Sequence, residues 1–212
     1  MVLGLVARLL LRLLIITNYV VCDCMGKRSD YPRWHAKDFW QTLDDRAINE
    51  AFIKEVRGKT YAEPCCGAGD LVDLLVEVAL CKWESDIEWR GAGRKKDALS
   101  ITKDDLTGID LIITNPPFTW EMLKPLLDYL PTLKPTWLLL PADSMHTKRM
   151  GPYMARCEKV ISIGRLKWFR DNDPRLWDEN AQVFKKNTDP TDNFVWCLFT
   201  DKQCNTTFVG RT

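Results

Sequence analysis

Strand-like and helix-like runs alternate between residues 60 and 142. TYAEP leads into the glycine turn CCGAG, and DLVDLLVEVALC follows with apolar residues at helical spacing. KWESDIE reads as a short strand ending in acids, RGAGRKK as a loop, and DLIIT (residues 110 to 114) as a buried-type strand running into NPPF. EMLKPLLDYL then reads as a helix and TWLLLPA as another apolar strand. That alternation predicts an α/β fold, a doubly wound, mostly parallel sheet. The tail departs from it. ISIGRLKWF and NFVWCLFT, separated by a polar loop (171 to 193), predict a closing C-terminal antiparallel hairpin on one edge. Upstream, a polar, aromatic lead (Tyr31, Trp34, Phe39, Trp40) precedes a helix expected from about Asp44 to Val56, with Gly58 ending it.

A chain of 212 residues holds one domain with a sizeable core. Its 28% of charged residues nearly cancel, leaving a net charge of +1. The eight cysteines form no C-x-x-C pair and there are two histidines, which argues against a zinc or other metal site. Scattered cysteines in a chain this size point to reduced, cytosolic thiols. Residues 1–24 differ from the rest. The run MVLGLVARLLLRLLIITNYVV is almost wholly apolar, broken by Arg8 and Arg12. An arginine at the centre of a membrane span costs about 2.5–3.5 kcal/mol, so two of them disfavour a span. A signal peptide wants its charge ahead of the apolar run. A membrane-surface helix, an anchor, or an extension ahead of a start at Met25 all stay open. The domain proper is then residues 25–212, which carry no net charge.

The run AEPCCGAGDL places Glu63 and Pro64 at a strand end, then Gly67 and Gly69, then a helix. Ligands of doubly wound sheets bind at the carboxyl ends of the strands, and glycines let the backbone come close to them. There is no third glycine for a dinucleotide fingerprint and no Gly-Lys-Ser/Thr for a phosphate loop. An acid ahead of the glycines repels a pyrophosphate and suits a cation, as S-adenosyl-L-methionine is at its sulfonium and ammonium groups. Asp86 follows Gly69 by 17 residues, near the distance at which an acid binds ribose hydroxyls. Asp97 in KDAL, beside Ala98, is placed to accept from an adenine amine.

NPPF is the most informative stretch. A hydrophobic strand delivers Asn115, Pro116, Pro117 and Phe118 to the sheet edge, and the prolines hold the backbone extended. The Asn115 side-chain carbonyl and the Pro116 main-chain carbonyl are two acceptors that match the two hydrogens of an NH2 group. Phe118 offers a face for a base to stack on. An aryl amine is a poor nucleophile because its lone pair is delocalised. Accepting both its protons draws the nitrogen toward tetrahedral geometry and stabilises the charge it gains on alkylation.

On these motifs the chain resembles the amino-methyltransferase superfamily, and within it the small phage-type and Dam-like adenine-N6 DNA methyltransferases, over roughly residues 30 to 200. AEPCCGAGDL is similar to the family's cofactor motif, SDIE to its acid motif, KDAL to its adenine-ring motif and NPPF to its catalytic tetrapeptide. GRLKWF and FVWCLF resemble its paired late strands. The resemblance implies a Rossmann-like enzyme of a bacterial or phage-infected cytoplasm. Glu63, Pro64, Gly67, Gly69, Asp86, Asp97 and Ala98 would hold cofactor, and Asn115, Pro116, Pro117 and Phe118 the target amine. The chain departs from the family at Cys65 and Cys66, where small or aromatic residues are common, and in lacking a segment long enough for a target-recognition domain.

Residues 143 to 175 carry a net +4, with Tyr153 and Trp168 among the cations. Lys148, Arg149, Arg165, Lys167 and Trp168 are the expected contacts to DNA, or to RNA, as a phosphate track with stacking aromatics. A solvated charged face fits the same run. Asn-Pro-Pro-aromatic motifs also serve enzymes acting on adenine N6 or guanine N2 of RNA and on glutamine side chains of proteins. A non-catalytic cofactor-binding module is the remaining alternative.

Overall fold

The structure is a computed structural model and describes residues 40–168, 177–184 and 192–211. The N-terminal segment 1–24, Met25, Tyr31, Trp34 and Phe39 lie outside them. Among the described residues no helix is long and apolar enough to cross a membrane.

In chain order, a 3-10 turn at Asp45–Ile48 precedes α1 (Glu50–Val56), β1 (Thr60–Glu63), α2 (Asp70–Leu75), β2 (Leu80–Asp86) and β3 (Arg94–Lys95). Then come β4 (Leu111–Thr114), α3 (Trp120–Leu133), β5 (Thr136–Pro141), two 3-10 turns at Ala142–His146 and Lys148–Met150, and α4 (Gly151–Met154). The chain closes with β6 (Cys157–Arg165), β7 (Trp177–Asp178), β8 (Val183–Phe184), β9 (Asn193–Phe199) and β10 (Thr207–Val209). Eight strands form one sheet in the order β10-β6-β9-β5-β4-β1-β2-β3, and β7 and β8 form a separate small ribbon. The parallel pairs β1–β2, β1–β4, β4–β5 and β2–β3 make the doubly wound half.

Alternation along the strands sends successive side chains to opposite faces. Leu111, Ile113, Trp137, Leu139, Ile161 and Trp196 face one layer with Phe52 and Val56 of α1 and Leu71 and Leu75 of α2. Ile112 faces the other layer with Leu126 and Leu130 of α3, and Leu138, Leu140, Val160 and Cys197 pack there with Leu123 and Leu127. Both faces are covered, as a parallel sheet requires. Pro131 inside α3 cannot donate to the Leu127 carbonyl, and the Arg156 guanidinium donates to it instead at 3.4 Å.

Five expectations are corrected. The helix expected from Asp44 to Val56 is broken at Asn49, whose extended backbone and side chain cap α1 by accepting from the Phe52 N–H at 3.0 Å. The Asn49 amide also donates to the Ser162 carbonyl at 3.1 Å, a tertiary bond that a continuous helix would forfeit. The helix read over DLVDLLVEVALC stops at Leu75, because Leu80 and Cys81 pair with Thr60 and Tyr61 of β1. RGAGRKK is not all loop, since Arg94 and Lys95 pair with Ser85 and Asp86. In ISIGRLKWF the strand ends at Arg165, and it begins earlier, at Cys157. The late strands are antiparallel as expected, yet they are not an edge hairpin: β9 sits between β5 and β6, and the edge is β10, parallel to β6.

Candidate active site at the carboxyl ends of the strands

Parallel pairing brings the ends of β1, β2 and β4 to one edge of the sheet, and with them Glu63, Asp86 and Asn115. After Glu63 the chain turns through Pro64, Cys65 and Cys66 to Gly67 and Gly69. Both glycines have positive φ (54° and 85°), a conformation that glycine adopts at little cost. Gly69 then caps α2. The Asp86 carboxylate holds this turn in place. Its Oδ2 accepts from the Gly67 N–H at 2.9 Å and its Oδ1 from the Glu88 N–H at 2.9 Å. Asp86 therefore braces the turn through both carboxylate oxygens.

A small cleft, partly open to solvent, joins the two motifs. Trp40, Gln41, Thr42, Glu63, Cys66, Gly67, Asp70 and Asn115 are among the residues that line it. Glu63 is 1% exposed and its Oε2 has no hydrogen-bond partner. Burial holds its carboxyl well above the usual range, and the neighbouring carboxyls of Glu84, Asp70, Asp86 and Asp73 push it further the same way. Burial also raises the thiols of Cys65, where Asp86 adds to the effect, and of Cys66, where Glu63 does. Thiols so placed stay protonated and are poor nucleophiles.

Asn115 is 8% exposed. Its Nδ2 donates to the Trp40 carbonyl at 2.9 Å and to the Thr42 hydroxyl oxygen at 3.1 Å. A carbonyl only accepts, so the Trp40 bond fixes which side of the amide carries nitrogen. The Asn115 Oδ1 is buried and has no partner. Pro116 is buried, and Pro117 and Phe118 are half-buried. Phe118 does not stand alone as a stacking face, because its ring lies 6.2 Å from Trp40 in a stacked arrangement and 5.7 Å from Phe194. Asp97 is exposed, and its Oδ1 caps a 3-10 turn through the Leu99 N–H at 2.9 Å, while Ala98 is packed in the core.

The structure divides the expected nucleic-acid track. Lys148 and Arg149 are exposed beyond β5, with Arg149 4.8 Å over the ring of Trp120 at the start of α3. Arg165 is exposed at the end of β6, and Lys167 follows, half-buried, its N–H donating to Asp44 at 2.7 Å. These four share the edge that carries Asn115. The aromatic half is corrected. Trp168 is 7% exposed and packs edge-on against Phe194 at 4.8 Å, while Tyr153 is buried with its hydroxyl donating to Asp128 at 2.8 Å. Neither can stack on a base. Lys159 pairs with Glu55 at 2.8 Å near the start of β6. Arg170, Asp171, Asp173 and Arg175 lie outside the described residues.

Sequence reasoning missed Gln41, Thr42 and Asp70. Gln41 donates to Asp70 at 3.0 Å, and the signal for all three is tertiary. Among the described residues no group of His, Cys, Asp and Glu side chains is arranged to hold a metal ion.

No protein-family model matches the sequence, and no curated protein matches it. Solved structures with a similar chain trace include a protein of Listeria monocytogenes assigned to the class I S-adenosylmethionine-dependent methyltransferases, with 11% identity, a TM-score of 0.45, and coverage of 96% of this chain and 72% of that one. A protein of Pyrococcus horikoshii assigned as an RNA methyltransferase has 9% identity and a TM-score of 0.46, over 92% of this chain and 98% of that one. A dimethyladenosine transferase from Plasmodium falciparum has 16% identity and a TM-score of 0.40, over 73% of this chain and 60% of that one. Similarity at this level fixes neither cofactor nor substrate.

Proposed function

We propose that this chain is an S-adenosyl-L-methionine-dependent methyltransferase acting on an exocyclic amine, with adenine N6 in DNA as the leading target. The observation that carries the reading is Asn115. Two hydrogen bonds engage its amide nitrogen, and its buried carbonyl oxygen is left without a partner. An orphaned buried acceptor costs about 1–3 kcal/mol, which a ligand N–H recovers. The donor set also fits the cofactor. The partnerless carboxyl oxygen of Glu63, crowded by other acids, gains from a cation beside it. Asp86 and Asp97 follow at the ends of β2 and β3 for its hydroxyl and amine groups.

When bound, the cofactor supplies an electrophilic methyl group. Everything else falls to this chain. Asn115 Oδ1, with the Pro116 carbonyl beside it in sequence, accepts the protons of the target amine and stabilises the positive charge that grows on its nitrogen. A fixed acceptor needs no reorganisation as that charge appears. The amine then loses a proton to water. Lys148, Arg149, Arg165 and Lys167 attract the phosphates of the nucleic acid.

The test is transfer of labelled methyl from S-adenosylmethionine to unmethylated DNA and, in parallel, to RNA, by the wild type and by Asn115→Ala. The expected result is N6-methyladenine in DNA, with the variant slower by about 10²–10³. Label in RNA alone moves the substrate to adenine N6 or guanine N2 of RNA. No label on either nucleic acid, with cofactor still bound, leaves a protein amide or a non-catalytic module and overturns the proposal.

A further inference from the structure

Both partners of the Asn115 amide lie in one short stretch that belongs to neither motif. The Trp40 carbonyl takes one Nδ2 hydrogen and the Thr42 hydroxyl oxygen takes the other, across 75 and 73 residues of sequence. The same stretch reaches the glycine-turn side, where Gln41 donates to Asp70 at the start of α2, and the Trp40 ring stacks on Phe118. Thr42 is 4% exposed, so no water replaces its hydroxyl readily. With both amide hydrogens engaged, rotation of the Asn115 side chain would break two buried hydrogen bonds. Trp40 contributes main chain, which substitution leaves in place. Thr42 contributes the side chain, and is the point at which the arrangement can be altered.

We propose that Thr42 is a positioning residue for the transfer reaction: its hydroxyl fixes the Asn115 amide, so that the Oδ1 is the atom left to accept. This rests on the function proposed above, in which Asn115 receives the target amine. Thr42 touches no reacting atom, and acts on the rate through Asn115. Thr42→Val keeps the shape and removes the acceptor, whereas Thr42→Ser keeps the acceptor and removes a methyl group.

The experiment compares wild type, Thr42→Val and Thr42→Ser in the full chain by two readouts. The first is the side-chain amide signal of Asn115 in ¹⁵N-labelled protein, assigned by its loss in Asn115→Ala. Its hydrogen exchange should speed up about tenfold in Thr42→Val, the worth of one buried hydrogen bond, and stay at the wild-type rate in Thr42→Ser. The second is methyl transfer. The kcat should fall about tenfold in Thr42→Val with the KM for cofactor unchanged, and recover in Thr42→Ser. Should Thr42→Val fail to fold, Thr42→Ala removes the same acceptor with no added bulk. An Asn115 amide that exchanges at the wild-type rate in Thr42→Val, or in Thr42→Ala, overturns the proposal whatever the activity. Should the wild type transfer no methyl group, the proposed function fails, and the amide signal still decides whether Thr42 holds Asn115.

Discussion

Asp86→Ala tests the brace under the glycine turn. The carboxylate accepts from two backbone N–H groups, each at 2.9 Å. Hydrogen bonds to a charged group contribute about 1.5–3 kcal/mol each. The Gly67 N–H is buried and loses that full share, while the half-buried Glu88 N–H reaches water and loses about 0.5–1.5 kcal/mol. The sum is about 2–4.5 kcal/mol, a large part of the 5–15 kcal/mol that holds a typical domain together, roughly. With a urea m-value of about 3 kcal/mol/M, the midpoint falls by about 0.7–1.5 M. Asp86→Asn keeps one carbonyl acceptor and should lose about half as much. Both losses should be present without cofactor, since the bonds are made within the chain. A ligand-free midpoint for Asp86→Ala within about 0.3 M of wild type would refute the brace, at the same m-value, and would return Asp86 to a role in ligand binding alone.

Glu63→Gln should change how stability depends on pH. Glu63 has a carboxyl pKa raised above its ordinary 4.5 by burial and then by Glu84. Below pH 4.5 both folded and unfolded chains hold the proton, and the full contribution is present. As pH rises from there the unfolded chain ionises first, and wild-type stability drains away toward the folded pKa by at most about 1.4 kcal/mol per pH unit. Glu63→Gln has no such proton, so its stability relative to wild type should grow with pH; parallel urea midpoints between about pH 4.5 and 7.5 would be the contrary result. Phe52→Ala should cost about 3–5 kcal/mol, because Phe52 is fully buried, stacked 4.3 Å from Trp196 and edge-on to Trp137 at 5.4 Å. At about 2–4 °C per kcal/mol the Tm should drop by about 6–20 °C. Calorimetry showing a drop of under about 3 °C would mean the ring is not part of the core.

The parts legible in the sequence are those that local chemistry decides. Leu111–Thr114, Thr136–Pro141 and Asn193–Phe199 are continuous apolar runs because both their faces are covered, and they read as strands without further information. The glycine turn was legible as a turn because Gly67 and Gly69 take a backbone conformation that favours glycine. What escaped is decided at a distance. Nothing near Leu80 says that it pairs with Thr60, and nothing near Thr207 says that its three-residue run pairs with β6. Trp40, Gln41 and Thr42 carry no motif, and their part in the site exists only once Asn115 and Asp70 fold against them. Trp168 and Tyr153 misled in the opposite sense. Their charged neighbours in sequence suggest a surface, yet each turns inward while Lys148, Arg149 and Arg165 of the same segment are exposed.

The position of β9 has a consequence for how the chain is made. This strand follows β6 in the chain, and it fills the gap between β5 and β6, pairing with both. Until it emerges from the ribosome, the two halves of the sheet have no seam between them. Trp196 brings the ring that stacks on Phe52 and the indole N–H that donates to the Ala47 carbonyl at 2.7 Å, bridging 149 residues. A nascent chain that has reached only the end of β6 therefore carries two open strand edges and half a core, the state in which chains self-associate. Closure of the sheet waits on β9 rather than following from the strands before it, and slow synthesis between β6 and β9 would prolong the time the nascent protein needs a chaperone's cover.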